Sequence, residues 1–232
     1  MATKSPLVLV TGGNRGIGFE ACRALAAKGA RVLLGARRPA EGEKAAKLLA
    51  LAGTVIPVPL DAADPRSIEA LAARVEREYG ALDALVNNAG VYLDEASTAV
   101  TVADDVVEKT LRTNLLGPWR LARAFVPAME ASGRGRVVNV SSGMGALSSM
   151  NAGHSSYRVS KAAVNALTLV MAAELKPSGV TVISFCPGWV ATDMGGPSAP
   201  RSPKVAGEEL AAAALEDDRT GVFIREGKEI PW

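Results

Sequence analysis

Leu7-Val-Leu-Val-Thr-Gly-Gly-Asn-Arg-Gly-Ile-Gly18 runs from consecutive apolar residues straight into a glycine cluster. An unbroken apolar run, without polar alternation, is the pattern of a strand covered on both faces. Ile17 to Lys28, with its Ala, Glu, Leu, Lys and Arg, then reads as a helix. A strand that turns within a few residues into a helix opens a βαβ unit, the repeating element of a parallel sheet. In that turn Gly12, Gly16 and Gly18 let the backbone approach a phosphate, and the helix N-terminus directs free N–H groups and the positive end of its dipole at the same point. Asn14, Arg15 and Ile17 share the turn and join the glycines as candidate binding residues. The spacing is G-x-x-x-G-x-G instead of G-x-G-x-x-G, so a tight turn that binds nothing is the alternative reading.

Working outward, short apolar runs recur at Arg31 to Leu34, Val55 to Leu60, Leu82 to Val86, Arg136 to Val140, Val180 to Cys186 and Val222 to Ile224, making seven predicted strands with the first. Helical patterns separate them at Ala40 to Ala52, Pro65 to Tyr79, Asp104 to Ala131 and Tyr157 to Lys176. Asp64-Pro65 supplies an N-cap followed by proline at the first helical position. The alternation predicts an α/β fold: a doubly wound, mainly parallel seven-stranded sheet with helices on both faces, in a single domain over residues 1–232. Gly195 to Pro203 reads as a flexible loop.

Composition narrows the function. The 232 residues are 48% hydrophobic and 22% charged with a net charge of +2, an ordinary globular balance that needs no disulfide or structural metal to build a core. Cys22 and Cys186 sit in apolar runs and share no metal-type spacing with each other or with His154, so neither a metal site nor a disulfide is expected, and a reducing, cytoplasmic setting is. No basic run exceeds Arg37-Arg38, which argues against nucleic acid. Leu7 to Val10 is too short for a signal-peptide core of roughly 7 to 15 residues. Val137 to Tyr157 lacks Asp, Glu, Lys and Arg, but its six serines make it too polar to span a membrane. It is a loop-rich stretch of the kind that carries function.

The unusual residues fall at the same end of every strand: Thr11 to Gly18, Arg37-Arg38, Asp61, Asn87 to Gly90, Ser141-Ser142 and Pro187-Gly188. In a parallel sheet all of these lie along the carboxyl edge, where open α/β sheets bind ligands. After strand two, an acidic residue would hold a ribose 2′-OH and arginine a 2′-phosphate; the sequence is Ala36-Arg37-Arg38, with Arg15 as a further cation, which favours a phosphorylated dinucleotide unless these are surface arginines. Asp61 either holds an adenine edge or starts a turn, and Asn87 to Gly90 is either a site or a plain turn. Asn114 lies in a long helical pattern just before Gly117-Pro118, so a kink is expected there, structural or functional. Tyr157 and Lys161, four positions apart on one helix face, let an ammonium bias a phenol whose ordinary pKa of about 10 is too high for easy proton exchange. Ser142, shortly before them in the chain, is placed to hydrogen-bond a carbonyl oxygen facing that phenol.

Thr11-Gly-x-x-x-Gly-x-Gly18, Asn87-Asn-Ala-Gly90, the asparagine of Thr113-Asn-Leu-Leu-Gly117, Val138-Asn-Val-Ser-Ser142, Tyr157-x-x-x-Lys161 and Pro187-Gly188 occur in this order and cover nearly the whole chain. The set resembles a short-chain dehydrogenase/reductase of the classical type, and Cys186-Pro-Gly-Trp-Val-Ala-Thr-Asp-Met194, Pro197, Ser202-Pro203 and Trp232 look most like its carbonyl reductase branch. The resemblance implies a Rossmann-type fold and an NADPH/NADP+-dependent oxidoreductase that reduces the carbonyl of ketones, aldehydes or quinones. By the same resemblance Tyr157 is the general acid, Lys161 lowers its pKa and holds the nicotinamide ribose, Ser142 orients the carbonyl, and Asn114 maintains a water-linked proton path. It further implies that Gly12, Arg15, Ile17, Gly18, Arg37, Asp61, Asn88 and Gly90 hold the cofactor, with Val190 and Thr192 on its carboxamide. Only Gly143 to Ser156 separate serine from tyrosine, where animal carbonyl reductases have a long insertion, so a different pocket wall and a homodimer or homotetramer are admitted. Lys204 to Thr220 is short for a helix that covers the substrate. The rival readings are a 3-oxoacyl carrier protein reductase, which needs a basic patch beside the pocket, and a non-catalytic NADP-binding scaffold or sensor, which needs no ionisable phenol.

Overall fold

The computed structural model describes residues 5–94 and 97–232. Strands β1 (Leu7–Thr11), β2 (Arg31–Ala36), β3 (Val55–Pro59), β4 (Ala84–Asn87), β5 (Gly135–Val140), β6 (Val180–Phe185), β7 (Val222–Arg225) and β8 (Lys228–Glu229) form one sheet in the order β3-β2-β1-β4-β5-β6-β7-β8. All neighbours run parallel except β7 and β8. The order reverses between β1 and β4, which opens a crevice at their carboxyl ends.

Successive residues of a strand point to opposite faces, so each central strand feeds two cores. Leu9, Leu33, Leu85, Val137 and Val182 face one side, under α3 (Pro65–Glu78), α5 (Gly117–Ala131) and α6 (Ser155–Leu175). Val8, Val10, Val32, Val86, Val138 and Ile183 face the other, under α1 (Gly16–Ala27), α2 (Pro39–Leu48) and α7 (Pro203–Leu215). This two-sided burial is the physical cause of the unbroken apolar runs.

Among the described residues the sheet has eight strands, one more than the predicted seven. Glu226 and Gly227, both at positive φ, turn the chain tightly after β7 and pair Lys228–Glu229 back on it; two polar residues leave no apolar run to read. The predicted helix from Asp104 to Ala131 is interrupted: α4 (Asp104–Leu111) passes through a π turn, Arg112–Leu116, into α5. The segment after Pro203, expected to be too short to cover a substrate, is α7, and it lies on α1. A Cβ at Gly207 would come within 2.5 Å of the Glu20 side chain. Its start, Ser202 Oγ accepting from Lys204 N–H with Pro203 next, repeats the device at Asp64-Pro65. The loop before it, expected to be flexible, is tied by a bridge between Val190 and Arg201, whose guanidinium pairs with Glu209 and Glu226.

Candidate active site

The carboxyl edge of β1, β2 and β4 borders a cleft of about 530 Å³, within the usual range of small-molecule sites of roughly 300–1,000 Å³. Gly12, Asn14, Arg15, Gly16, Ile17, Gly18, Arg37, Arg38, Asp61, Asn88, Gly90, Tyr157, Lys161, Pro187 and Thr192 all line it. Ser142, Asn114, Gly188 and Val190 stand outside that lining. Val190 is buried and its carbonyl accepts from Thr192 N–H at 2.9 Å, while Gly188, at φ +76°, lets Arg201 lie close.

The glycine turn is bare backbone by necessity. Gly12 and Gly16 hold φ +64° and +55°, and a Cβ at Gly18 would reach 2.4 Å from Gly12 O. Asn88 pins this turn from β4: its Nδ2 donates to Thr11 O at 2.9 Å and Gly12 O at 3.2 Å. Such a cradle, followed by the N-terminus of α1, fits the pyrophosphate of a dinucleotide. The three arginines differ. Arg15 pairs with Asp193 across the cleft at 2.7 Å, and Arg38 pairs with Glu41 at 2.5 Å. Arg37 is exposed and takes part in no ion pair among the described residues, which leaves it open to a 2′-phosphate. Asp61 Oδ1 accepts from Ala63 N–H at 2.9 Å, the turn reading, while the residue also lines the cleft.

At the head of α6 the proposed chemistry converges. Lys161 is buried, donates from Nζ to Val140 O at 2.8 Å, and lies 5.6 Å from the centre of the Tyr157 ring. Burial pushes its pKa down to about 8. Burial likewise pushes the Tyr157 phenol up to about 12, with the Ser142 hydroxyl pulling against it. Desolvation is the largest influence on the phenol, and the Lys161 ammonium, 5.6 Å from its ring centre, is placed to oppose it. A Cβ at Gly90 would lie 3.4 Å from Asn114 Oδ1 and 3.7 Å from Lys161 Nζ, so that glycine is where these groups meet.

Asn114 sits in the π turn. Its Oδ1 accepts from Val91 N–H at 2.8 Å and its Nδ2 donates to Val91 O and Ser160 Oγ, so the side chain fastens the segment after β4 to α6. Ser160 Oγ passes the contact on to Tyr157 O at 2.7 Å.

Sequence reasoning missed three neighbours. The buried Asp94 caps α6: Oδ2 accepts from Ser156 N–H at 2.7 Å and Tyr157 N–H at 3.4 Å. Tyr92 lies edge-on to Tyr157, ring centres 5.0 Å apart, and its hydroxyl hydrogen-bonds His154 Nδ1. His154, at φ +55°, is the residue from which α6 starts. An aspartate shortly after Asn87-Asn-Ala-Gly90 has no local mark of this role; its partners lie 62 and 63 residues away.

The family model described as short chain dehydrogenase matches residues 6–202. Carbonyl reductase [NADPH] 1 of Sus scrofa is 33% identical over 283 aligned positions, covering 100% of this chain and 96% of the relative. A 3-oxoacyl-[acyl-carrier-protein] reductase of Vibrio cholerae is 34% identical over 194 positions, covering 84% and 77%. Among solved structures, NADPH-bound carbonyl reductase from chicken fatty liver superposes with a TM-score of 0.88 at 30% identity, over 99% of this chain and 100% of that one.

Proposed function

Because the chain belongs to the short chain dehydrogenase family, we propose that it is an NADP(H)-dependent oxidoreductase that reduces the carbonyl group of ketones, aldehydes or quinones to alcohols. The observation that carries this reading is the meeting of Tyr157, Lys161 and the Ser142 hydroxyl beside a cleft floored by the glycine turn and flanked by Arg37, which forms no ion pair among the described residues. NADPH, when bound, supplies the hydride to the carbonyl carbon. The chain's residues handle the proton. Tyr157, whose phenol burial favours in its neutral form, donates it to the carbonyl oxygen. Ser142 orients that oxygen, and the Lys161 ammonium, 5.6 Å from the ring centre, stabilises the phenolate left behind. Asn114 and Asp94 hold α6 in register for both.

Met194 lines the cleft, and Leu93, Leu147, Met150 and Trp189, in the segments that follow β4, β5 and β6, are exposed apolar residues. This supports a small apolar carbonyl substrate. The free, buried Cys22 and Cys186 support a reducing, cytoplasmic setting; among the described residues no helix is long and apolar enough to cross a membrane. Trp119 on α5 and Val159 and Val170 on α6 are exposed apolar residues on adjoining helices, in keeping with a homodimer or homotetramer, which light scattering reads directly.

Steady-state rates over a panel of carbonyls with NADPH and NADH in parallel test the reading. Tyr157→Phe should bind NADPH as the parent does and lose turnover by roughly 10²–10⁴-fold. Undiminished turnover would remove Tyr157 as the acid.

A further inference from the structure

The loop between Ser142 and α6 closes its own tight turns with local hydrogen bonds, and contacts on either side fix where it sits. It consists of two short 3-10 turns, Gly143–Gly145 and Leu147–Ser149, and its Leu147 and Met150 side chains point to solvent. One side leans on α6: a Cβ at Gly145 would come within 2.6 Å of Lys161, and Asn165 Nδ2 donates to Gly145 O at 3.3 Å. The other side rests on residues from after β8. Ser148 N–H donates to Trp232 O at 2.9 Å, and Ile230 N–H donates to Phe223 O at 2.8 Å. The Trp232 ring stacks on Phe223, centres 5.4 Å apart and planes 22° apart. Ala146, Cys186 and Phe223 form a small buried cluster against which Ile230 and Trp232 pack. Cys186 Sγ in turn accepts from Gly143 N–H at 3.1 Å, directly after Ser142.

We propose that Trp232 is a positioning residue for the reaction: stacked on Phe223 and bonded to Ser148, it clamps the Ser142 loop against α6 and so fixes the hydroxyl that orients the carbonyl. This rests on the reading of Ser142 given above. Among the described residues no hydrogen bond joins the clamp to the glycine turn, so its effect on the carbonyl should exceed its effect on cofactor binding. A loop with one face in solvent depends on its few inward contacts, and loosening a reacting group by an ångström lowers turnover steeply.

The test compares the parent with Trp232→Ala and Trp232→Phe, reading turnover, NADPH affinity by cofactor fluorescence, and amide hydrogen exchange. In Trp232→Ala, exchange should rise over residues 143–150 and stay unchanged over 11–18, kcat should fall about tenfold, and NADPH affinity should hold within about twofold. Trp232→Phe, which keeps a ring to stack, should recover most of the loss. Unchanged exchange over 143–150 overturns the proposal, as does a rise spread over the whole chain with loss of NADPH binding, which marks a general stability role. If Trp232→Ala does not fold, Ile230→Ala removes part of the same packing and must show the same local pattern. The exchange readout stands apart from activity: a parent inactive on every carbonyl would sink the proposed reaction, while the exchange result still decides the clamp.

Discussion

A buried ammonium whose hydrogen-bond acceptor is a main-chain carbonyl is an expensive residue, and Lys161 is one. Its pKa of about 8 lies below the ordinary 10.5, so between those values the unfolded chain binds more protons than the folded one. Stability from this group therefore rises with pH across that window. Lys161→Met should raise the melting temperature at pH 7 more than at pH 10 and abolish turnover, a pairing that calorimetry and a rate assay check together. In the parent, carbonyl reduction should decline as pH climbs through about 8 and the charge beside Tyr157 disappears. The same residue scale decides the cofactor. Charged hydrogen bonds contribute about 1.5–3 kcal/mol, so Arg37→Asp should shift the NADPH/NADH preference by at least about tenfold toward NADH. Asp193→Asn, by freeing Arg15, should tighten NADPH binding. Equal use of both cofactors by the parent would contradict the charge argument.

Helix α6 carries both Tyr157 and Lys161, and its N-terminus hangs on a carboxylate from a different part of the chain. Losing an N-cap costs about 0.5–2 kcal/mol. Asp94→Ala should destabilise by that amount in a denaturant titration and lower kcat, because the Tyr157 N–H is one of the groups released. Asp94→Asn keeps an acceptor oxygen and should retain most of both. At this scale the sequence was readable where a signal is local: Asp64-Pro65 announces α3, and the proline at Pro118 announces a break near Asn114. It was silent where the signal is not. The Arg15 to Asp193 pair joins positions 178 residues apart, and nothing in either neighbourhood marks it.

Across the whole molecule, the face of the sheet opposite α3, α5 and α6 is closed by α1, α2 and α7. Gly207 lets α7 approach α1 so closely that a side chain there would strike Glu20 and the Ala21 main chain. Gly207→Val should therefore cost about 1–3 kcal/mol by overpacking, measurable as an earlier urea midpoint. No disturbance would mean that the two helices part easily. Helix α7 escaped sequence reading because its buried face is largely alanine, Ala206, Ala211, Ala213 and Ala214 with Leu210, too uniform to stand out as a stripe. What the amino-acid order determined unaided was the alternation of strand and helix, the carboxyl-edge position of the glycine turn and the pairing of Tyr157 with Lys161 on one helix face, since each follows from spacing along a few turns of chain. Only the tertiary structure decided which arginine stays unpaired, how far burial moves the phenol and the amine, and what holds the Ser142 loop, because charge pairing, desolvation and packing depend on neighbours that the chain brings together from distant positions.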